Sequence, residues 1–231
     1  MTDTRIEAQR ADPPYLVPGY RSTIARAPSR PLVIPPYGPS ELTSPVFGES
    51  DLGVHDHDLT QHHEGEPQGQ RITVHGYVRD AAGKPVRNSL VEVWQTNAAG
   101  RYAHRTDQHP APLDPNFTGA GRTLTDNDGY YRFVTIHPGA YPWRNHENAW
   151  RPAHIHFSVF GWAFPQRLVT QMYFQGDPLF FQDPVFNSIP DERARQRLIA
   201  AYDHEESVPE WSLGWRFDIV LGGAHATPME A

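Results

Sequence analysis

Two histidines, His154 and His156, stand two positions apart in the apolar run Arg151-Pro152-Ala153-His154-Ile155-His156-Phe157. If this run is a β-strand, both imidazoles project from one face, because residues i and i+2 of a strand point the same way. Such a pair offers a metal ion a two-point anchor. The alternative is that one of them is a buried histidine with a structural hydrogen bond.

Two tyrosines could complete a metal site. Tyr141 lies between Gly139 and Pro142, which restrict the local backbone, and Tyr102 follows Gly100 in a polar loop. Taken alone, Tyr141 could equally be a core aromatic residue, and Tyr102 reads better as a surface residue. With the histidines they would give one ion two nitrogen and two phenolate ligands. Zinc prefers His, Cys and carboxylate ligands, and only a strong Lewis acid keeps phenols with an ordinary pKa of about 10 ionised, so this set favours ferric iron.

Composition excludes several other classes of site. The chain has 231 residues, 27 acidic against 20 basic side chains, a formal net charge of -7 and no cysteine. A negative balance does not favour nucleic acid or an anionic membrane as a partner. The lack of cysteine excludes disulfides, zinc–thiolate sites, iron–sulfur clusters and a cysteine nucleophile. Since there is no apolar leader and no run long enough to span a bilayer, we expect a cytoplasmic protein.

The sequence after residue 65 predicts an all-β domain, which we place at residues 66–231. Alternating apolar runs separated by turn residues indicate about six strands. The absence of helices between them favours an antiparallel sandwich or barrel, and we expect a β-sandwich core with long loops. One short helix is expected from Asp191 to Tyr202, where Ala194 and Leu198 share a face.

Residues 1–65 are rich in proline, which disfavours long helices. They also carry apolar side chains such as Tyr20 and Ile24, which a free disordered tail usually lacks. We therefore expect an extended N-terminal arm that packs on the body or on another subunit. The alternative is a disordered terminus.

Several motifs together resemble those of the intradiol ring-cleaving dioxygenases. Within that family, the closest likeness is to the iron-bearing β-type subunits of two-chain enzymes that act on protocatechuate. The motifs that carry the resemblance are Val93-Trp94-Gln95, Gly100-Arg101-Tyr102, Leu113 to Phe117, Thr125 to Tyr131, Pro138 to Trp143, Trp150 to Phe157, Gln171 to Pro178 and Trp215 to Leu221, with Tyr20 to Arg26 and His55 to Leu59 on the arm.

The resemblance implies a role for each matching position. It makes Tyr102, Tyr141, His154 and His156 the ligands of Fe(III), with Tyr141 also acting as a base. It implies that Arg151 stabilises negative charge on the substrate ring and that Gln171 lies near the substrate. The remaining pocket residues it implies are Tyr20, Arg26, Trp94 and Trp143.

The resemblance also implies a reaction and a partner. Protocatechuate (3,4-dihydroxybenzoate) and O2 would give 3-carboxy-cis,cis-muconate, a step of aromatic catabolism in the β-ketoadipate pathway. A homologous α subunit that lacks the iron ligands would form αβ protomers in a larger oligomer.

Three alternatives stay open at this point. An intradiol enzyme for catechol or hydroxyquinol would share the ligands, but its single-chain members carry a helical N-terminal region that the proline-rich arm does not match. A non-catalytic β-sandwich binding module would not explain the four donors, and a zinc hydrolase would need a third His or carboxylate. A further cluster, which could be a second metal site but which we interpret as loop or interface residues, comprises His55, His57, His62 and His63.

Overall fold

A mixed β-sheet of nine strands forms the body of the computed structural model, which describes residues 12–33, 52–160 and 167–230. A separate two-stranded ribbon pairs β5 with β6. The strands are β1 (Arg71–Asp80), β2 (Leu90–Trp94), β3 (Ala120–Leu124), β4 (Tyr130–Ile136), β5 (Tyr141–Pro142), β6 (Trp150–Arg151), β7 (His154–Val159), β8 (Leu168–Phe174), β9 (Ile199–Val208), β10 (Ser212–Arg216) and β11 (Ile219–Leu221). The predicted all-β class is confirmed.

The sheet is mixed because β1 pairs differently on its two edges. It is antiparallel to β4 on one edge and parallel to β10 and β11 on the other. Beyond β10 the order is β9, β8, β7, β2 and β3, and the β8–β9 pair is also parallel. The predicted antiparallel sandwich is thus more closely described as one sheet that curls toward a barrel.

Residues 56–60, here called the closing segment, fill the gap between the end strands β3 and β4. The amide of Arg122 on β3 donates to the Asp56 carbonyl at 2.9 Å, and the amide of Val134 on β4 donates to the His57 carbonyl at 3.0 Å. The Leu59 amide returns a hydrogen bond to the Val134 carbonyl at 2.9 Å, and the Leu59 side chain is fully buried in the core. This segment therefore belongs to the barrel wall.

One face of β7 and β8 packs in the hydrophobic core, and the other face carries the candidate ligands. Ile155, Phe157 and Met172 belong to the main hydrophobic core. Because side chains alternate along a strand, His154 and His156 project from the opposite face. The candidate site therefore lies outside the core, where long loops cover the sheet.

The helix predicted at 191–202 is wrong in its second half. A helix does begin after Asp191, whose side chain accepts a hydrogen bond from the Arg193 amide at 3.0 Å, but it spans only Glu192–Gln196. Leu198 is buried as expected, yet Ile199 opens β9 and pairs with Tyr173. This backbone pairs with the edge of β8 instead of continuing the helix, and the Tyr173 amide donates to the Leu198 carbonyl at 2.8 Å.

The helical content exceeds the single helix expected. Two further α-helices and one short 3-10 turn occur within the described ranges. They are α1 (Ser22–Arg26), α2 (Pro184–Asn187) and the turn Phe180–Gln182, which makes the Glu192–Gln196 helix α3. Among the residues that the structure describes, we find no helix with the length and apolar character needed to cross a bilayer.

The described part of the predicted arm packs against the body. Asn145 accepts from the Ser22 amide at 2.8 Å and donates to the Ser22 hydroxyl at 2.9 Å, while the Arg21 amide donates to the Asn145 carbonyl at 2.9 Å. Asp12 accepts from the Met229 amide at 2.9 Å. The stretches 1–11 and 34–51 of the predicted arm lie outside the described residues.

Candidate metal centre and active site

Three neighbouring strands place five side chains of the site in two rows. Trp94 on β2, His156 on β7 and Gln171 on β8 are directly paired across the sheet, and so are His154 and Tyr173. Paired residues project from the same face at close range. The Trp94 ring consequently stacks on the His156 ring, with centroids 4.8 Å apart and planes 7° apart.

The two tyrosines come from loops that pack backbone against backbone. Each is preceded two positions earlier by a glycine, Gly100 before Tyr102 and Gly139 before Tyr141. Gly100 has a φ of +78°, and a Cβ there would lie 2.1 Å from the Ala140 carbonyl oxygen. A Cβ on Gly139 would lie 2.5 Å from the Gly100 nitrogen, so any side chain at either position would push the two tyrosine loops apart.

Tyr102, Tyr141, His154 and His156 converge in one cluster. The Tyr102 hydroxyl lies 3.2 Å from Nε2 of His156. Ring centroids are 5.5 Å apart for Tyr102 and Tyr141, 5.5 Å for Tyr141 and His154, and 4.9 Å for His154 and His156. All four side chains singled out from the sequence thus face one small volume.

The outer hydrogen bonds of the histidines set their tautomers. Nδ1 of His154 lies 2.8 Å from the Pro152 carbonyl oxygen, and Nδ1 of His156 lies 2.9 Å from Oε2 of Glu230. Since a carbonyl or carboxylate oxygen accepts, each Nδ1 carries the proton and each Nε2 presents a lone pair inward. Burial, aided by the Arg151 charge, lowers the pKa of His154 well below its ordinary value, and burial also lowers the pKa of His156. Both rings are therefore neutral at pH 7.

Arg151 is a buried cation at the back of this cluster, 2% exposed. It lies opposite Tyr141 in the β5–β6 ribbon, and Asp183, which is fully buried, binds its Nε at 3.0 Å and its Nη2 at 2.9 Å. Its other polar contacts are the Gln171 Oε1 at 2.6 Å, the Tyr173 hydroxyl at 3.0 Å, the His154 Nε2 at 3.2 Å and the Tyr141 hydroxyl at 3.5 Å. The predicted ring-stabilising arginine thus stands beside two predicted ligands.

A cavity of about 980 Å³ opens in front of the cluster. Its walls include most of the residues named from the sequence. Those that line it are Tyr20, Trp94, Tyr102, Tyr141, Trp143, Arg151, His156 and Gln171. A void of this size in front of polar side chains can hold a small aromatic molecule.

The two predicted arm residues differ in their placement. Tyr20 is buried and meets Trp143 edge to face, with ring centroids 5.0 Å apart. Arg26 is exposed and does not line the cavity; its guanidinium lies 4.9 Å from the centre of the Tyr20 ring, on which it stacks. Arg26 therefore supports Tyr20 and has no direct place in the pocket wall.

The histidine cluster of residues 55–63 has hydrogen-bond partners other than the four candidate ligands. Nε2 of His62 lies 3.0 Å from the His55 carbonyl, and Nε2 of His63 lies 2.8 Å from the Thr118 hydroxyl. Within the described part of the chain, no group of three His, Asp or Glu side chains is arranged to hold a metal ion.

Sequence reasoning missed three residues of the site. Asp183 and Tyr173 bind Arg151, and Glu230 binds His156. Tyr173 stands in a motif quoted above, at i+2 from Gln171, and this spacing could have placed it on the same face. Nothing local to Asp183 or Glu230 points to the distant partner of either residue.

The chain matches two family models. A family model described as "Dioxygenase" matches residues 42–223. The chain belongs to the intradiol ring-cleavage dioxygenase family. A second model, described as the N terminal of the protocatechuate 3,4-dioxygenase beta subunit, matches residues 9–37. The enzyme class expected from the sequence is confirmed.

Individual relatives agree with this assignment. The chain is 58% identical to the protocatechuate 3,4-dioxygenase beta chain of Burkholderia cepacia over 94% of this chain and 93% of that one. It is 32% identical to the protocatechuate 3,4-dioxygenase alpha chain of Pseudomonas putida, over 69% of this chain and 75% of that one. The crystal structure of 3-chlorocatechol 1,2-dioxygenase from Rhodococcus opacus, at 24% identity, has a TM-score of 0.56 over 74% of this chain and 66% of that one, and shows a shared fold.

Proposed function

We propose that this chain is the catalytic subunit of a protocatechuate 3,4-dioxygenase, with Fe(III) held by Tyr102, Tyr141, His154 and His156. The observation that carries the proposal is the meeting of two phenol oxygens and two imidazole Nε2 atoms in front of a cavity. Family membership supports it, since intradiol dioxygenases use non-haem iron.

The donor set fits ferric iron in its chemistry. Both Nε2 atoms face inward unprotonated, because each Nδ1 proton has an acceptor outside the cluster. Burial, and next the charge of a Tyr141 phenolate, raise the pKa of Tyr102 well above its ordinary value. The charge of Arg151 opposes this shift but does not outweigh it, so without a metal ion the phenol keeps its proton, and two phenolates here need a highly charged ion beside them. When bound, ferric iron would supply a Lewis acid that binds both ring oxygens of a catechol and draws electron density from the ring.

The protein's own groups would then manage protons and charge. Tyr141 lies at the cavity wall and would accept a proton from an incoming catechol hydroxyl. Arg151 keeps its charge at all working pH values and lines the same cavity, so it would stabilise negative charge that develops on the ring. Gln171, whose Oε1 accepts from Arg151, would hold that guanidinium in place and hydrogen-bond near the substrate.

Protocatechuate is the substrate that the relatives favour over catechol or hydroxyquinol. The likeness to a protocatechuate 3,4-dioxygenase beta chain covers nearly the whole sequence, including the stretch matched by the N-terminal model of that subunit. The expected product is 3-carboxy-cis,cis-muconate. A substrate panel of protocatechuate, catechol and hydroxyquinol, scored by O2 uptake and product mass, tests the choice, and a higher kcat/KM for catechol would overturn it.

A homologous α subunit is the expected partner. The likeness to both a beta and an alpha chain supports an αβ assembly. Several apolar side chains on the described arm are exposed and could be covered by such a partner: Tyr15, Leu16, Ile24, Leu32 and Val33. Co-expression with an α chain and native mass measurement test this, and substituting Ile24 with Glu should weaken the assembly. The division into an arm (1–65) and a domain (66–231), and the cytoplasmic location, stay predictions.

Colour is the direct test of the metal centre. Tyrosinate bound to Fe(III) gives a charge-transfer band in the visible range, so the purified protein should be red-brown and should bleach with dithionite. Replacing Tyr102 with Phe should remove part of this band and lower iron content, whereas Tyr202→Phe, a change at an exposed tyrosine, should leave both unchanged. A colourless wild-type protein that contains zinc and opens no catechol ring would refute the proposed function.

A further inference from the structure

Glu230 lies behind the candidate ligand His156, on a segment that follows β11. The backbone fixes this segment against β8: the Glu230 amide donates to the Val169 carbonyl at 2.9 Å, and the Thr170 hydroxyl donates to the Pro228 carbonyl at 2.7 Å. Pro228 is buried, and the Glu230 side chain is 25% exposed. The Glu230 carboxylate is therefore held in a fixed position.

One carboxylate oxygen of Glu230 serves two residues of the site. Oε2 accepts from Nδ1 of His156 and from Nε2 of Gln171, both at 2.9 Å. The first bond fixes the tautomer and ring orientation of His156, which leaves Nε2 facing the tyrosines. Carboxylates in this position also raise the basicity of a metal-bound imidazole.

The second bond sets the direction of the Gln171 amide. Because its NH2 group donates to Glu230, its carbonyl Oε1 must face the other way, where Nη2 of Arg151 lies 2.6 Å away. If the amide turned over, two donors would meet at Arg151 and two acceptors at Glu230. Glu230 thereby reaches the buried guanidinium through Gln171.

From this geometry we propose that Glu230 is a positioning residue that orients the iron ligand His156 and, through Gln171, the guanidinium of Arg151. The inference rests on the proposed function. It adds a residue distant in sequence from the other site residues and couples metal binding to the arginine.

Two substitutions separate the hydrogen bond from the charge. Glu230→Ala removes the acceptor altogether. Glu230→Gln can place its Oε1 where Oε2 stood, so it keeps both hydrogen bonds but removes the negative charge. Glu205→Gln, at an exposed glutamate far from the site in sequence, is the matched control. Each protein is loaded with iron, and folding is checked by circular dichroism.

Iron affinity and the visible spectrum are the readouts. In E230A, iron binding in a chelator competition should weaken about 10–100-fold, as is usual for loss of such a partner. In E230Q the affinity loss should be smaller. Both variants should shift the tyrosinate charge-transfer band to longer wavelength, because a less basic imidazole makes the iron easier to reduce, and E205Q should match the wild type.

The link to Arg151 is tested by a double-mutant cycle. If Glu230 acts on the arginine through Gln171, the losses in kcat caused by E230A and Gln171→Ala should be strongly non-additive. Additive losses would overturn that link. If E230A and E230Q both keep the iron affinity and band position of the wild type, the positioning role is overturned. If E230A does not fold, an unshifted band in E230Q alone overturns it. A wild-type protein without the band would instead refute the proposed function.

Discussion

Substituting Asp183 with Asn tests how far Arg151 depends on its buried partner. Asp183 has no exposed surface, binds Arg151 through both carboxylate oxygens, and caps helix α2 by accepting from the Val185 amide. Asparagine keeps the size of the side chain and a capping oxygen. The substitution therefore removes mainly the negative charge and leaves a buried cation without its counter-charge.

The expected loss is large. Removing one partner of a buried ion pair costs about 3–5 kcal/mol, against about 0–1 kcal/mol for an exposed pair. Glu66, whose side chain is 79% exposed in its pair with Arg71, is the matched control as Glu66→Gln. Since domains are stable by only about 5–15 kcal/mol, D183N should lower the urea midpoint clearly while E66Q should not.

The pH dependence of the same pair has a definite sign. Burial acts to raise the pKa of Asp183, but the Arg151 charge and its hydrogen bonds outweigh burial and hold the pKa below its ordinary value. The stabilisation is therefore present at neutral pH and is lost as the pH falls through the pKa of the folded state. The difference in unfolding free energy between wild type and D183N should narrow in acid.

Urea denaturation of the wild type, D183N, E66Q and the double variant Arg151→Leu/Asp183→Leu provides the measurement. The double variant removes both charges, so it should recover much of the stability while losing ring-cleaving activity. A loss below about 1 kcal/mol in D183N, equal to that expected of an exposed pair, would refute the reasoning from burial.

Three further predictions concern the barrel, the arm and acid stability. Leu59→Ala should lower the unfolding free energy by about 2–5 kcal/mol, because this fully buried side chain anchors the closing segment; chemical denaturation measures it, and a loss below 1 kcal/mol would contradict it. Asn145→Ala should remove the hydrogen bonds to Ser22, so limited proteolysis of the arm should become faster and KM for the substrate should rise; unchanged cleavage would count against the docking. Burial lowers the pKa of His137, so the unfolded chain takes up a proton before the folded chain does, and the unfolding free energy falls as the pH drops below about 6.5. His137→Phe should reduce the slope of unfolding free energy against pH by at most about 1.4 kcal/mol per pH unit. An unchanged slope would argue against this prediction.

The strands and the shared face of His154 and His156 could be foreseen because they depend on local periodicity, whereas the roles of the loop residue Tyr102 and of Tyr141 came from donor chemistry and the family resemblance. A spacing of two on β7 was enough to place His154 and His156 on one face, and the rings are in fact neighbours. The same reasoning failed for residues 199–202, where a helical apolar pattern lost to strand pairing, with the edge of β8 at residues 199 and 200 and with β10 at residues 201 and 202. Local propensity could not anticipate it, since the competing hydrogen bonds come from a distant strand.

The polar shell around the ligands could not be foreseen for a related reason. Asp183 is followed by proline and looks like a helix cap, and it does cap α2 while it also binds Arg151. Glu230 is separated from His156 by 74 positions. Which carboxylate neutralises a buried cation or orients an imidazole is decided by how the loops fold over the sheet, and no spacing rule records that.

The closing segment has a consequence for solubility. Strand edges with unpaired backbone groups are templates on which other chains can add, and natural proteins protect them. The closing segment is a single stretch of backbone that hydrogen-bonds to two outer edges. It reaches β3 at Arg122 and β4 at Val134. A chain from which this stretch is cut or displaced would uncover both edges at once. It would be prone to stack into intermolecular β-sheet even while β7 and β8 are still folded.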